Sequence, residues 1–436
     1  MNKRSDIFKK LLLAITFVIM FIHMIYNNFN FIKIPTLKGD VRIPEKPIFN
    51  NSNWFSVDYQ IKQEEYINCM FGFRSLYVRL NNQIDFSFFK KINANGVVLG
   101  KENYLYEEKY IQAYYGQDFM GLDSINHILE QLKFVSDRLA KRGKQLIVIF
   151  APSKASFYPE YIPDTFSKVN DSTNYKFLSS AAIQASLNVI DFNKWFIKNK
   201  NRSRYPLYPK YANHWSNYGA VLAADSIINY IQYLKNIDMP NLIYNKVDMK
   251  QPFGIDYDIA NGMNLLLKFK SSDMAYARIS TETPKNKNRP AVLVVSDSFY
   301  WDMYYFGISK SFKNDHFWYY NAEVYPESHK NKTLVKNLNL AEQIDKHDVF
   351  IVMATESSLP KIGWGFFERM EDFFNGKQKN EMPLTAGEKL QETKQAIMGD
   401  KNWMEQIKQK ALKRNVTVDS MLTIDAIWLL EQSKTN

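Results

Sequence analysis

The chain is poor in cysteine, glycine and proline, and it has no block of like charge. A single cysteine, Cys69, in 436 residues excludes an intrachain disulfide framework and any multi-cysteine zinc or iron–sulfur site. Sixteen glycines and fifteen prolines are too few for a collagen-like or low-complexity chain. Basic residues outnumber acidic ones 56 to 45, for a net charge of +11. They are scattered, with doublets such as Lys90-Lys91 and no long run, so a solvated basic surface is expected and a nucleic-acid arm is not. No metal-ligand spacing, no GxGxxG loop, no Walker pattern and no internal repeat occurs. What is present is apolar and aromatic: 46% hydrophobic and 15% aromatic residues give a sizeable core and argue against disorder. The length fits two or three domains, or one large α/β domain with additions.

The N-terminus sets the compartment. Lys3, Arg4, Lys9 and Lys10 precede an uncharged stretch from Leu11 to Ile32, strongly apolar from Leu11 to Tyr26. A basic flank before an apolar stretch is a signal peptide or signal anchor. At about 1.5 Å per residue the stretch covers a hydrocarbon core of about 30 Å. No small-x-small cleavage site follows; Asn27, Asn28, Phe29 and Asn30 do. An uncleaved anchor over residues 1–32 is expected, single-pass in the inner membrane, with its basic flank cytoplasmic and the rest of the chain periplasmic. His23 within it reads as tolerated.

Residues 33–64, with Pro35, Pro44 and Pro47, read as a linker. Helical spacing begins at Tyr66, and VVLGKENYLYEE (97–108) reads as a hairpin turning at Gly100. An amphipathic helix is expected over 124–142, closed by Gly143, then a buried strand QLIVIF (145–150). A helix over 173–187, a strand over 187–192, a helix over 217–234, a strand PAVLVV (290–295), a helix over 335–346 and a strand DVFIVMA (348–354) follow. Strands alternating with helices imply a three-layer α/β domain, a parallel sheet with helices on both faces, over 65–365. Ligands of such sheets bind at the carboxyl ends of the strands, where APSK (151–154), SDSF (296–299) and ATES (354–357) fall. Residues 366–436 turn charged and helical, with three short helices expected from about 378 onward as an extension.

Two segments carry chemistry. In VLVVSDSFYW (292–301) a buried strand runs directly into Asp297-Ser298, placing Ser298 on the turn at the sheet's edge, where a serine can act as a nucleophile; the same residues also suit a helix N-cap. In YPKYANHWSNYGA (208–220), His214 precedes a helix. Histidine is the usual base for a serine because it titrates near neutrality. His23 lies in the anchor, His127 in a helix, and His316, His329 and His347 in polar loop-like or helix-end contexts, so His214 is the best placed. Ser296 is a distant second nucleophile. Ser153 and Lys154 could line the site at a strand end, with Lys154 attracting an acidic sugar. Tyr300 and Trp301 could stack on sugar rings or pack in the core. Glu356 lies past the last strand and could face the cleft, and the loop 355–359 could supply an oxyanion donor.

Taken together, VVLGKENYLYE, IVIFAPSKASFYPEYIP, ANHWSNYGA and VVSDSFYW resemble, in that order, the alginate O-acetyltransferase family, SGNH-hydrolase-like acyltransferases of the bacterial periplasm. The resemblance covers roughly 65–365. It implies an SGNH-hydrolase-like fold and an acetyl group carried as an ester on Ser298, with His214 as base for Ser298 and then for the accepting sugar hydroxyl. It implies no bound cofactor or metal. The acetyl group would come from a multispanning membrane acyltransferase partner, and the acceptor would be a cell-surface or secreted polysaccharide. Two positions depart from the family pattern. Its Asp-x-His-Trp reads Ala212-Asn213-His214-Trp215 here, which leaves Asp191, Asp297 and Asn213 as candidate orienters of the imidazole. Its Gly-Asp-Ser reads Ser296-Asp297-Ser298. The competing expectations are an acetylesterase using the same pair, and a non-catalytic polysaccharide-binding or assembly subunit, which Ala212 favours.

Overall fold

The computed structural model describes residues 3–29, 33–39, 44–50, 53–167, 171–281, 286–377, 390, 393–394, 397–398, 401–414 and 417–435. Three helices lead the chain: α1 (Lys3–Phe29), α2 (Val57–Met70) and α3 (Arg74–Phe89). The hairpin β1 (Val97–Leu99) and β2 (Leu105–Glu107) opens directly into α4 (Glu108–Tyr114). There follow α5 (Leu122–Ala140), β3 (Gln145–Phe150), α6 (Lys154–Phe157), α7 (Asn174–Gln184), β4 (Asn188–Asp191), α8 (Phe192–Asn199) and α9 (Asn217–Lys235). An antiparallel pair, β5 (Leu242–Lys250) and β6 (Met274–Thr281), brackets the short α10 (Asp258–Gly262). The chain continues with β7 (Ala291–Ser296), α11 (Tyr300–Phe306), β8 (Asn314–Tyr319), β9 (Glu323–Tyr325), α12 (Leu340–Lys346), β10 (Val349–Ala354) and α13 (Phe366–Phe374).

The central sheet has the order β4-β3-β10-β7-β8-β9. Its first five strands are parallel, and β9 is antiparallel to β8. The all-parallel sheet expected from the sequence is thus a mixed one, closed at one edge by a tight β8–β9 return. Every residue of β7 and β10 is buried, as an apolar run between two helical layers requires. Alternate side chains divide between two cores. Ile147, Ile149, Val292, Val294, Ile351 and Met353 pack with Ile227, Ile228 and Ile231 of α9 on one face. Leu146, Val148, Leu293, Val295, Phe350 and Val352 pack with Leu132, Val135 and Leu139 of α5 on the other.

Several elements differ from the sequence reading. The β5–β6 pair and the β8–β9 edge were not expected. β8, NDHFWY, begins with polar residues, yet Phe317 and Trp318 are fully buried, and His316 lies on a strand. The helix expected over 335–346 is a single 3-10 turn (Val335–Asn337) followed by α12. Asn339 interrupts it, because its side chain accepts from the Glu342 N–H and caps the new helix. Phe366, Phe367 and Met370 of α13, in the stretch read as the C-terminal extension, are buried in the α5-side core. Most of the first C-terminal helix expected, 387–398, lies outside the described residues. Two further helices, α14 (Lys401–Arg414) and α15 (Val418–Thr435), pack on each other through Ile407, Ala411, Met421 and Leu422. α1 covers the apolar N-terminal stretch, and its described Leu11, Leu12, Leu13, Phe17 and Val18 are exposed. Among the described residues, no helix is long and apolar enough to cross a membrane. The side chain of His23 lies outside the described residues.

Candidate active site

The site sits at the carboxyl ends of β7 and β10. β7 stops at Ser296 because Asp297 turns the chain: its Oδ1 accepts from the Phe299 N–H at 3.1 Å. Its Oδ2 accepts from the N–H and Oγ1 of Thr355, past the end of β10, at 3.0 and 2.9 Å. Asp297 therefore ties two strand ends together, and Ser298, half-buried, is left at the surface of the turn before α11.

A second loop brings the histidine. Residues 206–216 return across the sheet's end to α9. Ser216 caps that helix, accepting from the Gly219 N–H at 3.0 Å, and its own hydroxyl donates to the Pro206 carbonyl at 2.7 Å. A Cβ at Gly219 would come within 2.8 Å of the Leu207 carbonyl oxygen, so a side chain there would push the loop off the helix. Lys154 reaches the same loop from α6. It is fully buried and donates from Nζ to the carbonyls of Lys210 and Ala212 at 2.8 and 2.6 Å. Trp215, also fully buried, donates from Nε1 to Asp302 Oδ2 on α11 at 3.0 Å. The neighbour of His214 is thereby bolted to the helix that follows Ser298.

His214 Nε2 lies 2.9 Å from Ser298 Oγ. Its other nitrogen, Nδ1, lies 2.5 Å from Asp258 Oδ2. The second Asp258 oxygen accepts from the backbone N–H groups of Asn213 and Ile259, at 2.9 and 2.5 Å, so both of its oxygens are fixed. Burial alone would lower the imidazole's pKa. The hydrogen bond and charge of Asp258, with Asp302 and Glu107 behind it, outweigh burial and raise it to about 9. Burial pushes Asp302 up to about 7, partly opposed by the His214 charge, and Asp256 to about 7 as well. Tyr320, following β8, interacts with the Ser298 side chain. Burial first, then the Asp297 charge, raises its phenol's pKa.

The structure thus brings Ser298 and His214 together and separates several other candidates from them. None of the three expected orienters touches the ring. Asp191 caps α8 through the Lys194 N–H and accepts from the Tyr175 hydroxyl. Asp297 is held by Thr355 and Phe299. Asn213 contributes only its backbone N–H, to Asp258. The carboxylate comes instead from Asp258, in the segment FGIDYDIANG (253–262). The signal was present in the sequence as two acids beside an otherwise apolar short helix, and it was missed because nothing local ties that segment to a histidine 44 residues earlier. The position opened by Ala212 is filled from another part of the chain, which removes the feature that favoured a non-catalytic subunit.

Lys154 does not offer its charge to a sugar, since burial holds its ammonium pKa well down and two carbonyls occupy it. Ser153 is fully buried, its N–H donating to Asn193. Glu356 is buried against Ser156 and Asn193 rather than facing a cleft. Thr355 in the 355–359 loop has both donors on Asp297, so it offers none to an oxyanion. Ser296 is fully buried and cannot serve as nucleophile. Tyr300 is a core residue whose hydroxyl donates to buried Asp315 at 3.1 Å. Trp301 is packed among Tyr305, Phe317 and Tyr325. A cleft of about 710 Å³ opens against Asp258, lined also by Glu107, Glu108, Lys109 and Gln112.

A Ser–His–Asp array at the strand ends of a layered α/β sheet is an acyl-transfer constellation that recurs on unrelated folds. Residues 97–249 match the family described as SGNH hydrolase-like domain, acetyltransferase AlgX, and the resemblance to the alginate O-acetyltransferase family read from the motifs is thereby shown. That match includes His214 and ends before Asp258 and Ser298. A curated relative, the probable alginate O-acetylase AlgJ of Pseudomonas syringae pv. tomato, is 26% identical over 157 residues, 36% of this chain. The chain spans 38% of that relative's length. Among solved structures, the O-acetyltransferase domain of Pseudomonas putida AlgJ is 16% identical with a TM-score of 0.41, over 61% of this chain and 92% of that one. Pseudomonas aeruginosa AlgX is 14% identical with a TM-score of 0.41, over 62% and 67%.

Proposed function

We propose that this chain is a polysaccharide O-acetyltransferase that works through an acetyl ester on Ser298. The observation that carries the reading is the continuous hydrogen-bonded array Ser298–His214–Asp258 on a domain that matches an acetyltransferase family. With His214 neutral, Nδ1–H is directed at Asp258, which leaves Nε2 to accept the Ser298 proton. Ser298 Oγ then attacks the acetyl carbonyl of the donor. The donor's leaving group departs with the proton from His214, and the acetyl group stays on Oγ. A sugar hydroxyl next gives its proton to Nε2 and attacks the ester, and His214 returns that proton to the departing Ser298 Oγ, releasing acetylated sugar and free serine.

The proposal includes the setting. No cofactor is needed, because the acetyl group arrives from a multispanning membrane acyltransferase. The acceptor is a cell-surface or secreted polysaccharide. α1 serves as an uncleaved anchor in the inner membrane, with the sheet domain in the periplasm. Its basic flank, the apolar stretch Leu11–Tyr26 and the exposure of Leu11 to Leu13 support this. Fractionation of cells making the full chain tests the anchor: it should stay with the membrane through an alkaline carbonate wash, and recovery in the wash overturns it. The chemistry is tested by the intact mass of the full chain after incubation with p-nitrophenyl acetate. One added acetyl group is expected on the wild type and none on Ser298→Ala or His214→Ala. An adduct persisting in Ser298→Ala refutes the assignment.

A further inference from the structure

We infer that the cavity between α5 and the turn at 360–368 is a subsite for an uncharged sugar ring of the acceptor, with Trp364 as its platform. The cavity holds about 720 Å³ and presents Trp364, Asp123, His127, Lys361 and Glu368. Asp123 and His127 stand four residues apart on α5 and so share one helix face. An apolar indole set among exposed acceptors and donors matches a pyranose, whose C–H face is apolar and whose rim is hydroxyl.

The turn is built to hold that indole. Gly363, Trp364 and Gly365 all have left-handed backbone, at φ 82°, 46° and 85°. The two glycines adopt it freely; for tryptophan it is costly. Its position is maintained by Asn321, whose Nδ2 donates to the Trp364 carbonyl at 2.9 Å. Asn321 and its neighbour Tyr320 are also left-handed, at φ 52° and 49°. Strain of this kind in non-glycine residues on facing turns marks a place where geometry is held for a purpose. The purpose is legible in the contacts. The Trp364 ring stands edge-on to Tyr320, centroids 5.1 Å apart, and Tyr320 interacts with Ser298. A ring on Trp364 is thus one side chain away from the nucleophile.

Charge selects which ring. Two carboxylates, Asp123 and Glu368, face one ammonium, Lys361, in this cavity. The cleft on the Asp258 side carries both signs, Glu107 and Glu108 with Lys38 and Lys109. A uronate carboxylate would meet like charge from Asp123 and Glu368, whereas a neutral or N-acetylated sugar offers hydroxyl or amide donors to the same oxygens.

This inference takes its place in the reaction from the acetyl-transfer reading, but its binding chemistry is independent and is tested without catalysis. The full chain carrying Ser298→Ala is titrated calorimetrically with cellotetraose, chitotetraose and tetramannuronate. At least one neutral tetrasaccharide should bind about tenfold more tightly than tetramannuronate. Adding Trp364→Ala should weaken that binding about tenfold or more, while Trp364→Tyr, which keeps a stacking face, should stay within about threefold. Near-ultraviolet circular dichroism identifies a variant that has not folded, and the tyrosine variant then decides. No binding of either neutral probe, tighter binding of tetramannuronate, or affinity indifferent to Trp364→Ala overturns the inference. An acetyl adduct on the wild type without Trp364-dependent binding removes the subsite alone. Trp364-dependent binding without an adduct removes the acetyl-transfer reading alone.

Discussion

The middle of the sheet and the corner at its carboxyl edge are held together by different forces. In β3, β7 and β10 the side chains from Leu146 to Phe150, Val292 to Val295 and Val349 to Ala354 are apolar and at most 2% exposed. None of them titrates, and their contribution is area removed from water. The corner made by residues 206–216, 254–262 and 297–302 packs His214, Asp256, Asp258, Asp302 and Lys154 within hydrogen-bonding distance of one another or of the same loops. Its groups are buried only because each has a partner. The first region is insensitive to pH and tolerant of exchange among similar side chains. The second is neither, and it holds the candidate active site.

Asp258→Asn is the sharpest break in that contrast. The variant keeps the shape of the corner but removes the charge that sets the tautomer and stabilises the imidazolium. Acetyl-enzyme formation should fall by about 10³–10⁴-fold. The thermal unfolding midpoint should also fall at pH values below about 9, where the Asp258 charge holds His214 protonated. The remaining activity should also change its pH dependence. In the wild type the base form of His214 grows as pH rises toward about 9, so the acylation rate should climb through that range. Without Asp258 the rise should shift toward the ordinary imidazole range. A loss of less than tenfold, or an unshifted profile, would mean that another group orients the ring.

Ile351→Ala should do the reverse. Ile351 lies at the centre of β10 and is 1% exposed. Truncation leaves a cavity among fixed neighbours and should cost about 2–5 kcal/mol by denaturant unfolding, equally at pH 5 and pH 8. A strongly pH-dependent cost would show that the two regions are not separable.

The same division governs how much of the molecule is legible from sequence. The buried strands at 145–150, 291–296 and 349–354 announce themselves because burial on both faces demands continuous apolar runs. Ser298 is legible because a short motif at a strand end fixes it, and His214 because it sits in a short aromatic motif just before a helix. Asp258 is not. Its role comes from a tertiary contact that brings α10 under the 206–216 loop, and no periodicity encodes that. Asp297, beside the serine in sequence, is one of three candidate orienters with Asp191 and Asn213, but its oxygens are held by Phe299 and the end of β10. Lys154 misled in the same way. A lysine at a strand end looks like a ligand site until the carbonyls of Lys210 and Ala212 are seen around it.

Trp215→Phe tests the joint between the histidine loop and α11. The change removes the donor to Asp302 and leaves a buried carboxyl without its partner. A loss of about 1–3 kcal/mol is expected. The loss should be larger at pH 8 than at pH 5, because the protonated acid needs no donor and burial holds Asp302 protonated up to about 7. An equal loss at both values would mean that packing alone accounts for it.

The smallest effect, and the one that isolates the corner's electrostatics, is Asp302→Asn. Burial, reinforced by the Asp258 charge, favours the neutral form of Asp302, and its pKa rises from 3.8 to about 7. A carboxyl raised in this way binds its proton more tightly folded than unfolded. Its folding contribution is therefore greatest at acid pH and is lost as pH rises from about 4 through about 7. His214 acts in the same direction over a later window: its contribution is complete below 6.5 and disappears as pH rises through about 9. Asparagine keeps an oxygen for the Trp215 N–H and cannot ionise. The variant should match the wild type at pH 4 and exceed its thermal midpoint by about 2 °C or more at pH 8. A gain that is the same at both values would place the penalty in packing rather than in the buried charge. The corner would then owe its stability to the same force as the middle of the sheet.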